Sequence, residues 1–352
     1  MSMTNVGAAL VWLFILVYGV LGAIDFGSSF WRWHFNRKGN WSAELVARNY
    51  VSPTWELINA FLVLIPVTLL GLFPGAVFAY GTILAVPATL LLTLLALRGA
   101  YWQFGYASSK RRNQTILVVG LTGLILPGVF SSLLPLSQGG FVDVVRGTFR
   151  PELVHFFLSP VVYLYMVFGS VLALFVSSVF LSRYAYSSNE FRAFATYRRQ
   201  ALWSGPVSLA VGVSAIVVRT PGSLDLIGRL MVVWPLLVAS MVAFAVAYGA
   251  LVLAGRTQQT TKHMALLNVA LVFTLAQLIT AHFAYGLAHR GYWLYPYIDF
   301  RNSASNPVMF HQTLVVLLVG TVLLTPGFLW FRRLFITNVD YAARKSTGGH
   351  RH

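Results

Sequence analysis

Long apolar segments, separated by short charged connections, constrain the fold of this 352-residue chain more than any other sequence feature. A helix needs about 20 predominantly apolar residues to cross the hydrocarbon core of a bilayer. Such segments recur along the whole chain, so we predict an all-α polytopic membrane protein with about nine transmembrane helices. The predicted spans cover approximately 7–29, 55–73, 75–98, 115–136, 158–181, 204–219, 229–254, 264–287 and 310–331.

The composition supports this class and excludes several others. Hydrophobic residues make up 57% of the chain and charged residues 10%, whereas soluble domains carry about 25% charged residues. The absence of cysteine excludes disulfides, iron–sulfur clusters and thiolate metal sites. The formal charge of +16 would suit a nucleic-acid binder, but the basic residues lie between apolar segments. We therefore predict no nucleic-acid partner and attribute the charge to membrane orientation and anionic lipid.

The distribution of basic residues predicts the orientation of the chain. Of the 25 lysines and arginines, 19 fall in one alternating set of connections and the C-terminal tail, and 6 fall in the opposite set. The side with the excess is normally cytoplasmic. This asymmetry favours an odd number of spans, with the N-terminus outside and the C-terminus cytoplasmic. We expect one transmembrane domain over 1–340, because no connection is long enough for a separate domain, and a polar, disordered tail over 341–352.

Ionisable residues inside a membrane are costly and therefore mark candidate functional sites. Only two of the nine acidic residues, Asp25 and Glu56, fall inside predicted spans, and both lie toward the predicted cytoplasmic side. Two carboxyl groups there would suit proton uptake and relay. The structural alternative is that Glu56 stabilises a helix N-terminus and that Asp25 pairs with a basic residue such as Arg98.

Histidines are the other candidates, because two imidazoles projecting into a helical bundle can ligate haem. The predicted topology places His155, His282 and His311 near the outer face and His34 and His263 near the inner one. His282 with His311 is the one pair that we consider as opposed haem ligands. His311 begins a span, however, where an interfacial histidine commonly hydrogen-bonds its neighbours, so a structural role is favoured for this pair.

Several short motifs follow one another in an order that resembles a known family, subunit II of cytochrome bd-type quinol oxidases. The motifs are Tyr18 to Gly27 with Asp25-Phe26-Gly27, Trp55-Glu56 with Asn59, Phe73-Pro74-Gly75 with Tyr80-Gly81, Leu97-Arg98-Gly99, Tyr295-Pro296-Tyr297, and Thr325-Pro326-Gly327. The matches cover the first third and the last sixth of the chain. Ala23-Ile24 and Glu56-Leu57 depart from many relatives and resemble the shorter branch known from Gram-positive bacteria.

The resemblance implies a fold of two four-helix bundles plus one peripheral helix, in the bacterial cytoplasmic membrane. It also implies a partner, subunit I, which carries two b-type haems and one d-type haem or its b-type substitute. That partner would oxidise menaquinol or ubiquinol and reduce oxygen. The resemblance implies no haem in the present chain, and it leaves open a small single-span subunit and bound lipid.

In this family, subunit II is expected to stabilise the haem-bearing partner and to supply a proton path toward the oxygen-reducing site. By resemblance, Asp25 and Glu56 match the acids of that path, and Trp55, Asn59 and Arg98 are candidates for supporting it. Two other classes remain as alternatives: a secondary transporter that uses intramembrane acids, and a free-standing haem-binding membrane anchor.

Overall fold

The computed structural model describes residues 3–105, 112–218, 226–256 and 260–331, without the side chains of 51–57, 105, 260–261, 324–325 and 327–331. The described chain is helical, with two small antiparallel hairpins. The helices are α1 (Met3–Arg37), α2 (Trp41–Leu72), α3 (Pro74–Ile83), α4 (Ala85–Gly105), α5 (Arg112–Ser131), α6 (Leu134–Ser137), α7 (Leu153–Leu158), α8 (Pro160–Ser187), α9 (Phe191–Val217), α10 (Leu226–Val232), α11 (Trp234–Ala254), α12 (Thr260–Ala288) and α13 (Pro307–Phe331). The strands are β1 (Val142–Val145), β2 (Thr148–Pro151), β3 (Tyr292–Leu294) and β4 (Ile298–Asp299).

The predicted fold class, an all-α polytopic membrane protein, is confirmed. Within the described ranges, seven helical segments are long and apolar enough to cross a membrane: Met3–Arg37, Ala85–Phe104, Arg112–Ser137, Pro160–Ser187, Phe191–Val217, Trp234–Ala254 and Lys262–Ala288. Two shorter apolar segments remain: Ile58–Leu72 lies within the predicted second span, and Pro307–Leu323 overlaps the predicted ninth span. The count of nine and the orientation stay predictions, and the predicted tail over 341–352 lies outside the described residues.

Two predicted connections of about 20 residues are instead short turns between helices that extend past the apolar segments. Helix α1 continues to Arg37 and α2 begins at Trp41, after Asn40, whose side chain accepts a hydrogen bond from the Ala43 amide. Gly39 between them has a φ of +67°, a conformation that costs glycine little. Helices α8 and α9 are likewise separated by a turn through Asn189. Hydropathy missed these ends because they carry charged residues.

The predicted single span over 75–98 is wrong, because the structure divides it into α3 and α4. The break falls at Leu84, three residues before Pro87. Pro87 has no backbone N–H to donate to the carbonyl of Ile83, so a continuous helix would lose that hydrogen bond. The membrane-length segment therefore begins at Ala85.

Two hairpins occupy the connections predicted on the outer side. Strands β1 and β2 pair through Val145 and Thr148 around a turn at Arg146 and Gly147, both with positive φ, as tight hairpin turns require. The β3 strand supplies Leu294 to a buried cluster that also contains Phe141. Shared burial therefore places the two hairpins at the same end of the molecule.

Helix α1 lies at the centre of the bundle and packs closely against α5 and α8. A Cβ atom added at Gly27 would lie 2.5 Å from the carbonyl oxygen of Ala173, and one at Gly123 would lie 2.4 Å from that of Phe26. Small residues at such contacts let membrane helices approach closely. This packing encloses the cytoplasmic half of α1, where Asp25 lies in the predicted topology.

Candidate functional site

Asp25 forms a buried ion pair with Arg98. The Arg98 Nη2 atom lies 2.8 Å from Asp25 Oδ2, and the side chains are each 1% exposed. The same Nη2 donates a hydrogen bond of 2.7 Å to Ser29 Oγ. Ser29 Oγ in turn donates to the backbone carbonyl of Asp25 at 2.9 Å. The structure therefore brings two of the predicted residues into one buried polar cluster.

Three helices position this cluster. Asp25 and Ser29 lie one turn apart on α1, and four-residue spacing places them on the same face. Helix α4 supplies Arg98, whose Nη1 donates a hydrogen bond of 2.7 Å to the carbonyl of Val119 on α5. The Arg98 guanidinium carbon also lies 5.1 Å from the centre of the Phe26 ring. Arg98 therefore has anchors on α1 and α5 in addition to the carboxylate of Asp25.

A second buried ion pair lies nearer the end of α1 and was missed by sequence reasoning. Arg32 Nε and Glu44 Oε1 are 3.2 Å apart, with side chains 6% and 3% exposed. Glu44 was assigned to a connection, but it lies in the first turn of α2. Asn40, four residues earlier, was the available signal, because asparagine is a preferred helix N-cap.

A column of polar groups follows one face of α1. Tyr18, Asp25 and Arg32 are spaced by seven residues, nearly two helical turns, or about 10 Å of rise for each step. All three are buried. Within the described residues, the hydroxyls of Tyr18, Ser28 and, on α8, Ser178 are buried without a hydrogen-bond partner. Buried polar groups usually have a hydrogen-bond partner in the protein or an ordered water, so this face of α1 is unusually polar for the interior of a membrane bundle.

The remaining residues predicted for the proton path are Trp55, Glu56 and Asn59. Trp55 and Glu56 lie within α2, but their side chains are outside the described residues. Asn59, one turn further along α2, is half-buried. The described contacts therefore connect Asp25 with Arg98. They do not include the side chain of Glu56, so its relation to this pair stays a prediction.

The two candidate haem ligands occupy different surroundings. His282 Nε2 lies 2.8 Å from the carbonyl oxygen of Trp12, so that nitrogen is engaged as a donor, and the ring packs edge-on against the Trp12 indole. His311 is exposed near the start of α13. In the part of the chain that the structure describes, no group of three or more His, Asp or Glu residues is arranged to hold a metal ion.

A further polar cluster, also missed, joins three separate segments at the hairpin end. Arg229 Nη2 donates a hydrogen bond of 2.6 Å to Gln138 Oε1, and Gln138 Nε2 lies 2.9 Å from His289 Nε2. The Arg229 guanidinium carbon lies 3.8 Å from the centre of the Tyr295 ring. Burial, and then the charge of Arg229, lower the pKa of His289 to about 3. The imidazole is therefore neutral, and the cluster holds the connecting segments together.

Comparison with known proteins gives consistent matches over almost the whole chain. The family model described as cytochrome bd terminal oxidase subunit II matches residues 3–335. A Bacillus subtilis (strain 168) protein named putative cytochrome bd menaquinol oxidase subunit II is 31% identical over 336 residues, covering 96% of each chain. In the solved structure of bd oxidase from Geobacillus thermodenitrificans, one chain superposes with a TM-score of 0.74 at 29% identity. That match covers 96% of this chain and all of the solved one.

Proposed function

The chain belongs to the cytochrome bd terminal oxidase subunit II family, multi-pass proteins of the bacterial cytoplasmic membrane, and we propose that it acts in a quinol:oxygen oxidoreductase. In that role it stabilises a haem-bearing subunit I and supplies a proton path from the cytoplasm toward the oxygen-reducing site. The redox chemistry belongs to the partner. The present chain contributes the scaffold and the path.

The partner and the electron donor are carried over from the relatives. The similar Bacillus protein is named a menaquinol oxidase subunit, which supports menaquinol as the donor here. The engaged Nε2 of His282 and the exposed position of His311 support placing the haems in subunit I. In the complex, quinol oxidation releases electrons and protons, and oxygen reduction to water consumes both.

The main support for the proposed proton path is the Asp25–Arg98 ion pair in the centre of the bundle. A buried ion pair often contributes less stability than apolar packing of the same volume, so stability alone is a weak reason for this arrangement. Buried carboxylates inside membranes commonly belong to proton relays. Asp25 therefore carries the central step of the proposed path.

The geometry suggests how the cluster works. Protons arrive from the cytoplasmic side, with Glu56 proposed as the first acceptor and the buried Glu44–Arg32 pair lying beside the same end of α1. When Asp25 takes a proton, its attraction to Arg98 weakens. Arg98 keeps its hydrogen bonds to Val119 and Ser29, so the guanidinium stays in position and the pair re-forms when Asp25 releases the proton.

Purification of this chain from its own membrane under mild detergent tests the proposed function. We expect a second multi-span subunit to co-purify, with visible haem absorption and oxygen uptake when quinol is added. A colourless protein that purifies alone and takes up no oxygen would contradict the proposal.

A further inference from the structure

A small pocket lies at the hairpin end of the molecule, between the start of α1 and the β3–β4 hairpin. It has a volume of about 220 Å³ and is lined by Asn5, Arg290, Gly291, Tyr292, Asp299, Phe300 and Arg301. Pockets that enclose whole drug-sized ligands usually measure about 300–1,000 Å³. This one is suited to a smaller group, such as the polar head of a larger molecule.

Two of the residues that line the pocket are arginines, and neither forms an ion pair within the described residues. Arg290 and Arg301 are both exposed, and within the described residues the only ion pairs are Arg32–Glu44, Arg98–Asp25 and His155–Glu152. Arginine presents a planar fork of donors that matches phosphate oxygens. The two guanidinium groups therefore favour an anion with several oxygens.

The single carboxylate of the pocket is already engaged. Asp299 Oδ1 accepts hydrogen bonds from the backbone amides of Arg301 and Asn302, both at 2.9 Å. Its Oδ2 accepts one of 2.6 Å from the Asn302 side chain. These bonds shape the turn after β4, and Asp299 forms no ion pair with either arginine. With two cations and one anion, the pocket keeps a net positive charge.

The surroundings of the pocket are those of a membrane boundary. Gly7 of α1 and Phe310 of α13 are in direct contact, so the starts of these helices lie together beside the pocket. Both helix starts expose apolar side chains: Met3 and Val6 on α1, and Val308 and Met309 on α13. The hairpin adds tyrosines, which are enriched at membrane interfaces.

We propose that this pocket binds the phosphate of an anionic phospholipid from the adjacent leaflet, held by Arg290 and Arg301. The acyl chains then lie along the exposed apolar starts of α1 and α13. The charge balance favours a lipid with net negative charge over a zwitterionic one. The proposal depends on the pocket alone and does not require the proton path.

Lipid titration of the purified, delipidated complex by native mass spectrometry tests the proposal. The probes are phosphatidylglycerol and phosphatidylcholine, and the test variant is Arg290→Gln/Arg301→Gln. The control variant is Arg146→Gln/Arg150→Gln in the β1–β2 hairpin, which removes two exposed arginines from the same end of the molecule. Arg146 and Arg290 have φ angles of 52° and 53°, so replacing either arginine with glutamine makes the change at the same backbone conformation.

We expect the complex to bind phosphatidylglycerol more tightly than phosphatidylcholine, and the test variant to lose this preference with affinity about tenfold weaker. The control variant keeps the wild-type affinity, and Arg290→Lys/Arg301→Lys keeps part of it, because charge remains while the fork is lost. Unchanged affinity in the test variant, or equal loss in the control, would overturn the proposal. Displacement of the lipid by millimolar inorganic phosphate would identify a site for free phosphate and overturn the lipid assignment.

Discussion

Asp25 and Arg98 are each almost fully buried, so bulk water does not screen their charges, and each has the opposite charge of the other at 2.8 Å. The pair was anticipated from sequence as the structural alternative to a proton path. The two interpretations are compatible, because Arg98 also donates hydrogen bonds to Val119 and Ser29, and these do not depend on the charge of Asp25.

Replacing Arg98 with glutamine leaves the Asp25 carboxylate buried without its cation. We expect a loss of stability of about 3–5 kcal/mol, measured as a lower thermal midpoint of the purified complex. The double variant Asp25→Asn/Arg98→Gln should recover part of the loss, because it removes both charges. Arg112→Gln, at the exposed start of α5, is the control. A midpoint in Arg98→Gln equal to that of the control would contradict a stabilising pair.

His289 gives a prediction for pH. Its pKa in the folded protein is about 3, against an ordinary value of 6.5. Because the folded pKa is depressed, the unfolded chain takes up the proton first as the pH falls. The stability is therefore complete above about pH 6.5 and is lost progressively toward pH 3, with about 2 kcal/mol lost at pH 5.

The test compares thermal midpoints of the wild type and His289→Gln between pH 8 and pH 5. Glutamine lacks the titrating ring but can still bond to Gln138, so the wild type should lose more stability on acidification than the variant. Parallel pH dependences in the two proteins would show that His289 does not titrate in this way.

Helix α1 organises the buried polar groups, because it carries Tyr18, Asp25 and Arg32 and packs against α5 and α8. Its glycines differ sharply in surroundings. A Cβ atom at Gly27 would meet the side chain of Ser177 and the carbonyl of Ala173, whereas one at Gly19 would meet nothing within 4 Å.

Gly27→Ala should therefore force α1 and α8 apart and destabilise the complex by about 1–3 kcal/mol. Gly19→Ala on the same helix should be neutral or stabilising by about 0.5–1 kcal/mol, since alanine favours the helix over glycine. The measurement is the thermal midpoint of each variant complex, which should be lower in Gly27→Ala than in Gly19→Ala. Equal midpoints would mean that the α1–α8 contact is looser than the structure indicates.

Apolar segments were sufficient to predict the fold class, because the need to satisfy backbone hydrogen bonds in lipid leaves helices as the simplest solution. They were insufficient for element ends. Charged residues such as Glu44 and Arg32 lie on helical extensions beyond the apolar segment, so a hydropathy reading assigns them to connections. Pro87 had the opposite effect, because it interrupts a helix inside a segment that remains apolar throughout.

Across the molecule, candidate sites were predictable where one helix carries most of the site. Asp25 was identified because it is an acid inside an apolar segment of α1. The Gln138–Arg229–His289 cluster was not predicted, because its residues come from three distant segments and no spacing relates them. The pocket with Arg290 and Arg301 was missed for a similar reason, since the positive-φ turn at Arg290 and the fold of the hairpin bring its lining together.

The proposed function depends above all on Asp25 carrying protons through this subunit toward the oxygen-reducing site of its partner. The most direct measurement is quinol-driven oxygen uptake by the purified complex carrying Asp25→Asn, at matched haem content. The control is Asp143→Asn, the same chemical change at an exposed position on β1. We predict turnover at least about tenfold slower in Asp25→Asn and unchanged in the control. Full turnover in Asp25→Asn would rule out proton transfer through Asp25, and a variant that loses its haem would show that Asp25 is structural instead.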